Sequence, residues 1–265
     1  MRMLLTLCTC LALAHVTAAH DTWVQTNINL IRTGDAVHID LMLGNHGNDH
    51  RDFKLASKID PAGSMLTVVD PEGKSYDLKD RLADLGYAPK EGFHSAKFSA
   101  ARPGLYTVVH TTDGVVNHGK PVRAVRSAKT YFIVSPTLDK VSKGWTGFGR
   151  PLGHTLELVA ATNPVAPMGP GTPISVKLLF QGKPLADTRI SFIPRGETLS
   201  EGFDKTYERT TDAEGRASFT PRTGNYYLVV AHHKEDADGK AGYEAVAYTA
   251  TLTVFVPEIC PCCGE

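Results

Sequence analysis

The chain has 265 residues, 21% of them charged, and its 28 basic and 28 acidic residues give a formal net charge of zero. A balanced charge excludes the strongly basic surface of nucleic-acid-binding proteins, so we expect no nucleic-acid partner. The length allows one large domain or two ordinary ones.

The first nineteen residues have the composition of a secretory signal peptide. Arg2 precedes the apolar stretch Leu4–Ala14, and small residues lead up to Ala19. A cut after Ala19 makes His20 the first residue of an exported protein, periplasmic or extracellular; a cut after Ala18 is the alternative. No later apolar run approaches about 18 residues, so we expect no membrane insertion after cleavage.

Alternation of apolar and polar residues runs through most of the remaining chain. Val37, Ile39 and Leu41 show the period of two that is typical of a half-buried strand. Further strands are predicted at Met65–Val69, Leu105–Thr111, Lys129–Val134, Ile174–Phe180, Arg189–Ile193, Arg216–Thr220, Tyr226–Ala231 and Ala245–Val256. Only Leu78–Leu85 looks helical, over one or two turns. Many short strands separated by turns predict an all-β fold of two β-sandwich domains.

A segment rich in glycine and proline, Ser135–Gly153, interrupts this pattern and is predicted to connect the two sandwiches. The predicted organisation is a signal peptide at 1–19, an N-terminal sandwich at 20–135, a connection at 136–153, a C-terminal sandwich at 154–257 and a cysteine-rich tail at 258–265. The tail holds all the cysteines of the mature chain, namely Cys260, Cys262 and Cys263. It could bind a soft metal, form a local disulfide or cross-link two chains.

Two turns in the second half carry a recognisable pattern. They are Gln181–Pro184 and Asp212–Gly215, and Gly215 is predicted to supply a positive φ. Both resemble turns of transthyretin-like, carboxypeptidase-regulatory-type β-sandwiches.

The whole mature chain resembles the DUF4198 family. The resemblance rests on those two turns together with Ala19–Trp23, Gly153–Pro164 and Tyr248–Leu252. Members of that family are secreted two-domain β proteins, some described as nickel-uptake accessory components. The resemblance implies a transthyretin-like second domain. It also implies nickel or cobalt as the bound ion and a membrane metal transporter as a partner.

The predicted N-terminus and one polar loop supply the best candidate metal ligands. A free α-amino group next to the imidazole of His20 would chelate Cu(II) or Ni(II). His46 and His50 lie four residues apart in a polar loop and could meet one ion. Side chains that could orient the two rings from a second layer are Asn45, Asn48, Asp49 and Asp52. The alternative interpretation is a hydrophilic surface loop whose side chains satisfy their own backbone.

Two other histidine pairs are weaker candidates. His110 is expected to end a strand and to face His118 across a hairpin that turns at Asp113–Gly114. His232 and His233 are adjacent, so on a strand they point to opposite faces and at most one can join a given site.

The chain carries no nucleophile elbow, phosphate-binding loop or zinc-protease signature, so we expect no enzyme. Three functions are compatible with these patterns. The first function is an exported accessory protein that binds Ni(II) or Co(II), with Cu(II) as a further option. The second is an extracellular structural or interaction module without metal. The third is a histidine-brace copper protein, which requires an exposed flat aromatic surface beside His20.

Overall fold

The computed structural model describes residues 20–44, 46, 59–60, 62–86, 92–117, 119–138, 142 and 144–258. The predicted signal peptide and residues 259–265 of the predicted tail lie outside these ranges. The described residues form strands and one turn of 3-10 helix at Lys79–Arg81, with no α-helix, so the predicted all-β fold is confirmed. No helix in this part of the chain is long and apolar enough to cross a bilayer.

The strands are numbered in chain order. They are β1 (Asp21–Thr26), β2 (Leu30–Arg32), β3 (Ala36–Gly44), β4 (Ser64–Val69), β5 (Ser75–Asp77), β6 (Ala83–Asp84), β7 (His94–Ser99), β8 (Gly104–Asn117), β9 (Pro121–Ser135), β10 (Leu156–Ala160), β11 (Ile174–Phe180), β12 (Lys183–Pro184), β13 (Arg189–Pro194), β14 (Glu208–Thr210), β15 (Arg216–Phe219), β16 (Asn225–Asp236) and β17 (Ala245–Val256).

These strands form three sheets. The first sheet has the order β1-β3-β7-β6, and a second has β10-β11-β12 with β15 also paired to β11. The third, which we call the central sheet, has the order β14-β13-β16-β17-β9-β8-β4-β5, with β2 paired to the end of β9.

One parallel pair joins the two halves of the chain within the central sheet. Strand β17 runs alongside β9, with Ala245 opposite Val122 and Thr253 opposite Thr130. A single sheet therefore spans the predicted N-terminal and C-terminal regions. The domain boundaries assigned from the sequence stay a prediction.

The two faces of β9 pack into different cores, because successive side chains of a strand point to opposite faces. Phe132 and Val134 pack with residues of the first sheet, whereas Tyr131 and Ile133 pack with residues of the second. A third, smaller cluster joins β1 and β3 to β16; it consists of Trp23, Met42, Leu228 and Val230. The central sheet is thus the middle layer between two smaller sheets, which gives the sandwich packing that the alternation predicts.

The two turns quoted from the sequence have the predicted backbone. Gln181 and Gly182 both have positive φ, at 50° and 77°, and link Phe180 to Lys183 in a tight hairpin. Gly215 has a φ of 74°. The sandwich fold is therefore supported at the level of its turns, while the transthyretin-like subtype stays a prediction.

One local prediction is wrong, and a second is confirmed only in part. Asp113 and Gly114 do not form a turn, because β8 continues through them to Asn117 and Asp113 pairs with Arg123 of β9 through two hydrogen bonds of 2.8 and 2.6 Å. The stretch Leu78–Leu85 contains only the short 3-10 turn, followed by β6.

Candidate functional site

The predicted N-terminal residue lies where the first sheet begins. Strands β1 and β3 are antiparallel, and their register places Asp21 opposite Gly44. Because His20 precedes Asp21 and the polar loop follows Gly44, the backbone of His20 lies beside the start of that loop. This register brings together two segments that the sequence separates by more than twenty residues.

His46 is buried at this corner as a neutral ring. Its Nδ1 lies 2.9 Å from the carbonyl oxygen of Ile193, and because a carbonyl can only accept, Nδ1 carries the proton. Nε2 therefore has a lone pair, and it has no hydrogen-bond partner among the described residues. Burial, and then the charge of Arg195, lower the pKa of His46 to about 3. The ring stands perpendicular to that of Trp23, with 5.4 Å between the ring centroids.

A second imidazole holds the start of β1 against the central sheet. His232 of β16 lies 2.8 Å from the carboxylate of Asp21, and its side chain remains 55% exposed. Burial by itself lowers the pKa of His232, but the charge and the hydrogen bond of Asp21 raise it above the usual value overall. His233 points to the opposite face, where its ring contacts Phe180. The prediction that His232 and His233 point to opposite faces of the strand is confirmed.

The predicted ligand set is only partly described. His20 is exposed and His46 is buried, while His50 and the predicted orienting residues Asn45, Asn48, Asp49 and Asp52 lie outside the described residues. Within the described ranges, no three histidine, cysteine, aspartate or glutamate side chains cluster closely enough to hold a metal ion. The ligand set therefore stays a prediction.

Of the weaker pair, only His110 is described, and it lies in the middle of β8. His110 is completely buried in mid-strand; its Nδ1 donates to the carbonyl of Met65 at 2.9 Å, and Nε2 has no partner among the described residues. Burial lowers the pKa of His110 to about 4. His118 lies outside the described residues, and β8 runs seven residues beyond His110 to Asn117, about 23 Å of extended chain. The expectation that His110 ends a strand is wrong, and its pairing with His118 stays a prediction.

The sequence analysis did not single out Arg126 of β9. Burial lowers the pKa of Arg126, and the charge of Asp21 opposes this shift. The backbone around Arg126 borders a cavity of about 470 Å³. Arg126 stands opposite Thr112 in the register of β8 and β9. No sequence signal marks it, because in the alternation of β9 it reads as an ordinary solvent-facing residue.

A buried ion pair links the central sheet to the second sheet. Lys129 and Glu157 are each 1% exposed and are joined by a short hydrogen bond. The same carboxylate accepts the backbone N–H groups of Leu152, Gly153 and His154 at 2.7, 2.9 and 3.1 Å. Burial raises the pKa of Glu157, but Lys129 and these hydrogen bonds lower it overall. This arrangement fixes the start of β10.

Comparison with known proteins identifies a family but no characterised relative. The model of DUF4198, a domain of unknown function, matches residues 17–235, and no curated protein matches. The chain is similar to alpha-2-macroglobulin from Escherichia coli at 15% identity over 90% of this chain, with a TM-score of 0.25, but spans only 16% of that chain. It is also similar to a DUF4785 family protein from Legionella pneumophila at 13% identity over 78% of this chain and 52% of that one, with a TM-score of 0.28.

The adhesin InvE of Yersinia pseudotuberculosis is similar at 14% identity over 87% of this chain and 58% of that chain, with a TM-score of 0.24. Similarities of this size carry no argument about function. The match over residues 17–235 confirms the resemblance drawn from the motifs: the chain belongs to the DUF4198 family.

Proposed function

We propose that this protein is an exported accessory protein that binds a transition-metal ion at the corner formed by His20 and His46. The observation that supports the proposal best is the state of His46. Its Nδ1–H is fixed on a backbone carbonyl and its Nε2 lone pair has no partner among the described residues. A metal-ligating histidine has the same arrangement, in which one nitrogen is held by an outer partner and the other is free to bind.

The chemistry of the donors favours nickel, cobalt or copper. A cut after Ala19 gives His20 an α-amino nitrogen beside its own imidazole, and His46 and His50 add two further imidazoles. Nitrogen donors of this kind suit Ni(II), Co(II) and Cu(II) rather than calcium or magnesium. The resemblance to nickel-uptake components favours nickel or cobalt, delivered to or received from a membrane metal transporter.

We assign Asp21 an anchoring role rather than a ligand role. Its carboxylate is already engaged by His232, and its backbone is paired with β3 opposite Gly44. Both contacts hold the start of β1 on the sheet, and they therefore restrict the range of positions open to His20. A chelate whose backbone is restrained binds more tightly than one on a free chain end.

One observation weighs against oxidation of a polysaccharide by a histidine-brace copper site. The aromatic residue next to the corner, Trp23, is 0% exposed and packs against Leu228 and Val230. It offers no flat surface on which a sugar chain could lie. Binding of the ion for transport or storage is the better proposal, and we assign no enzymatic activity.

Titration calorimetry of the mature protein with Ni(II), Co(II) and Cu(II) tests the proposal. Three variants are compared with wild type: an extra alanine before His20, His46→Gln, and the control His38→Gln, which changes an exposed histidine of β3. We expect the first two variants to lose at least about tenfold in affinity, because each removes one or two donors, and the control to match wild type.

The pH dependence gives a second criterion. The α-amino group has a reference pKa of about 7.7–8.0 and an exposed imidazole one of about 6.5, so affinity should fall between about pH 8 and 6 as His20 takes up protons. His46 should add nothing to this fall, because its pKa of about 3 leaves it neutral throughout. Equal affinity in all four proteins, or no binding of any of the three ions, would contradict the proposal and favour a structural module.

A further inference from the structure

The ring of His46 borders a small apolar cluster that contains a thioether. The cluster includes Trp23 and Met42, and Ile193, whose carbonyl accepts from Nδ1 of His46, packs against it. The rings of His46 and Trp23 are perpendicular, with centroids 5.4 Å apart. Met42 lies directly opposite Trp23 in the register of β1 and β3, so the two side chains share one face of the first sheet. Trp23 therefore has an imidazole and a thioether as neighbours.

These side chains are closed off from solvent, and one lone pair among them is unused. Trp23, Met42 and His46 are 0%, 3% and 2% exposed. Nε2 of His46 has no hydrogen-bond partner among the described residues. A thioether cannot donate a hydrogen bond to it, and the indole N–H of Trp23 is directed to Gln25 at 3.4 Å. Buried polar atoms are almost always bonded, so this lone pair indicates a position that a metal ion completes.

The surroundings of Nε2 favour an ion of low charge. The cost of burying an ion rises with the square of its charge, so a monovalent ion costs about a quarter as much as a divalent ion of equal size. The positive charge of Arg195 also acts at His46 and repels a divalent ion about twice as strongly. Among the described residues, no group of three carboxylate, imidazole or thiol side chains is present to offset a double charge. Imidazole and thioether donors without such groups suit Cu(I).

We infer that this corner also binds Cu(I), held by Nε2 of His46 and the thioether sulfur of Met42 beside the ring of Trp23. The inference rests on the proposed function, because both use Nε2 of His46, but it requires a different second donor. The methionine side chain is unbranched, flexible and polarizable, so its sulfur can turn toward an ion on Nε2. Divalent ions use the amine and imidazole of His20 instead, which are nitrogen donors.

Anaerobic titration of Cu(I) in competition with the chelator bicinchoninate tests the inference on the mature protein. In every sample the three tail cysteines are replaced by serine, because their thiolates would bind Cu(I) themselves. Met42→Leu keeps the apolar volume and removes the sulfur, and Met168→Leu, beside the other core, is the matched control. We expect Met42→Leu and His46→Gln each to weaken Cu(I) binding by at least about tenfold, and the control to bind like the parent protein.

Two spectroscopic measurements keep Met42 intact, so they decide the question even if Met42→Leu fails to fold. The chain has two tryptophans, and Trp145→Phe leaves Trp23 as the only one. One equivalent of Cu(I) should then quench the emission of Trp23, because the ion lies beside its ring. X-ray absorption of the same sample should show a sulfur scatterer bound to copper, which must come from methionine once the cysteines are gone.

Ni(II) titration of the same proteins separates this inference from the proposed function. Met42→Leu should bind Ni(II) like the parent protein, because the divalent ion relies on nitrogen donors. Cu(I) binding that depends on Met42 in a protein that binds no Ni(II) would support the inference and reject the divalent site. The inference is overturned if Met42→Leu folds and binds Cu(I) as tightly as Met168→Leu, if copper shows no sulfur scatterer, or if Cu(I) leaves the emission of Trp23 unchanged.

Discussion

Two buried histidines make the folded protein sensitive to acid. His46 and His110 have pKa values of about 3 and 4, against about 6.5 in an unfolded chain. Below pH 6.5 the unfolded state therefore binds protons that the folded state does not, and stability falls as the pH falls toward 4. His232 acts in the opposite direction, because Asp21 raises its pKa. The stability that this contact contributes is complete at low pH and is lost as the pH rises through the raised pKa.

We predict that the free energy of unfolding falls by about 1.4 kcal/mol per pH unit for each of the two neutral histidines between pH 6 and 4.5. Denaturant titrations at a series of pH values measure this slope. In His110→Gln the slope should drop by about 1.4 kcal/mol per pH unit, since glutamine does not titrate and can still donate to the Met65 carbonyl. His38→Gln, at an exposed position, is the control substitution. An unchanged slope in His110→Gln would show that His110 is not neutral in the folded state.

The buried Lys129–Glu157 pair should respond unequally to the loss of either partner. Glu157→Gln leaves a buried ammonium without its counter-charge, and we expect a loss of about 3–5 kcal/mol in urea unfolding. Lys129→Met leaves a carboxylate that still accepts three backbone N–H groups, so its cost should be smaller. Equal costs, or a larger cost for Lys129→Met, would contradict this account of how the carboxylate is held.

At the scale of single elements, the two turns of the second half differ in how much space they leave for a side chain at their glycine. A methyl group at Gly215 would lie 2.6 Å from the carbonyl oxygen of Leu178, whereas one at Gly182 would meet nothing within 4 Å. Both glycines have positive φ. We predict that Gly182→Ala costs about 1–2 kcal/mol and that Gly215→Ala costs at least about 1 kcal/mol more. Unfolding midpoints of the two variants check this, and a smaller loss for Gly215→Ala would contradict it.

Elements whose ends are set locally could be predicted from the sequence. Ile174–Phe180 and Ala245–Val256 match their strands exactly, because regular apolar patterning and flanking turn residues mark both ends. The end of β8 could not be predicted. Asp113 and Gly114 have the composition of a turn, and only the contact of Asp113 with Arg123 on the next strand shows why the strand continues.

For the candidate sites too, some features could be predicted from the sequence and others could not. The density of polar residues around His46 and the signal-like start at His20 are visible in the sequence. The register that brings them together is a contact between distant segments, and so is the bond between His232 and Asp21. Glu157 sits between Leu156 and Leu158, so alternation alone places it on a solvent face, yet it is 1% exposed.

For the whole molecule, the parallel pairing of β9 with β17 makes the two halves interdependent. Strand β9 contributes side chains to the cores on both faces of the central sheet, so neither core is complete without it. We predict a single cooperative unfolding transition, in which the calorimetric and van't Hoff enthalpies agree and tryptophan fluorescence coincides with far-UV circular dichroism. Two separated transitions would show that the halves unfold independently despite the shared sheet.

The central proposal is that His46, neutral and bonded through Nδ1 to Ile193, offers Nε2 to a metal ion beside His20. Long-range ¹H–¹⁵N correlation spectra of the histidine rings, recorded with and without one equivalent of Ni(II), test it most directly. In the metal-free protein, His46 should show a protonated Nδ1 and a bare Nε2 at pH 7. On addition of Ni(II), the His46 and His20 signals should shift or broaden while those of His38 and His110 remain. A bound ion that leaves the His46 signals unchanged, or a His46 protonated on Nε2, would contradict the account.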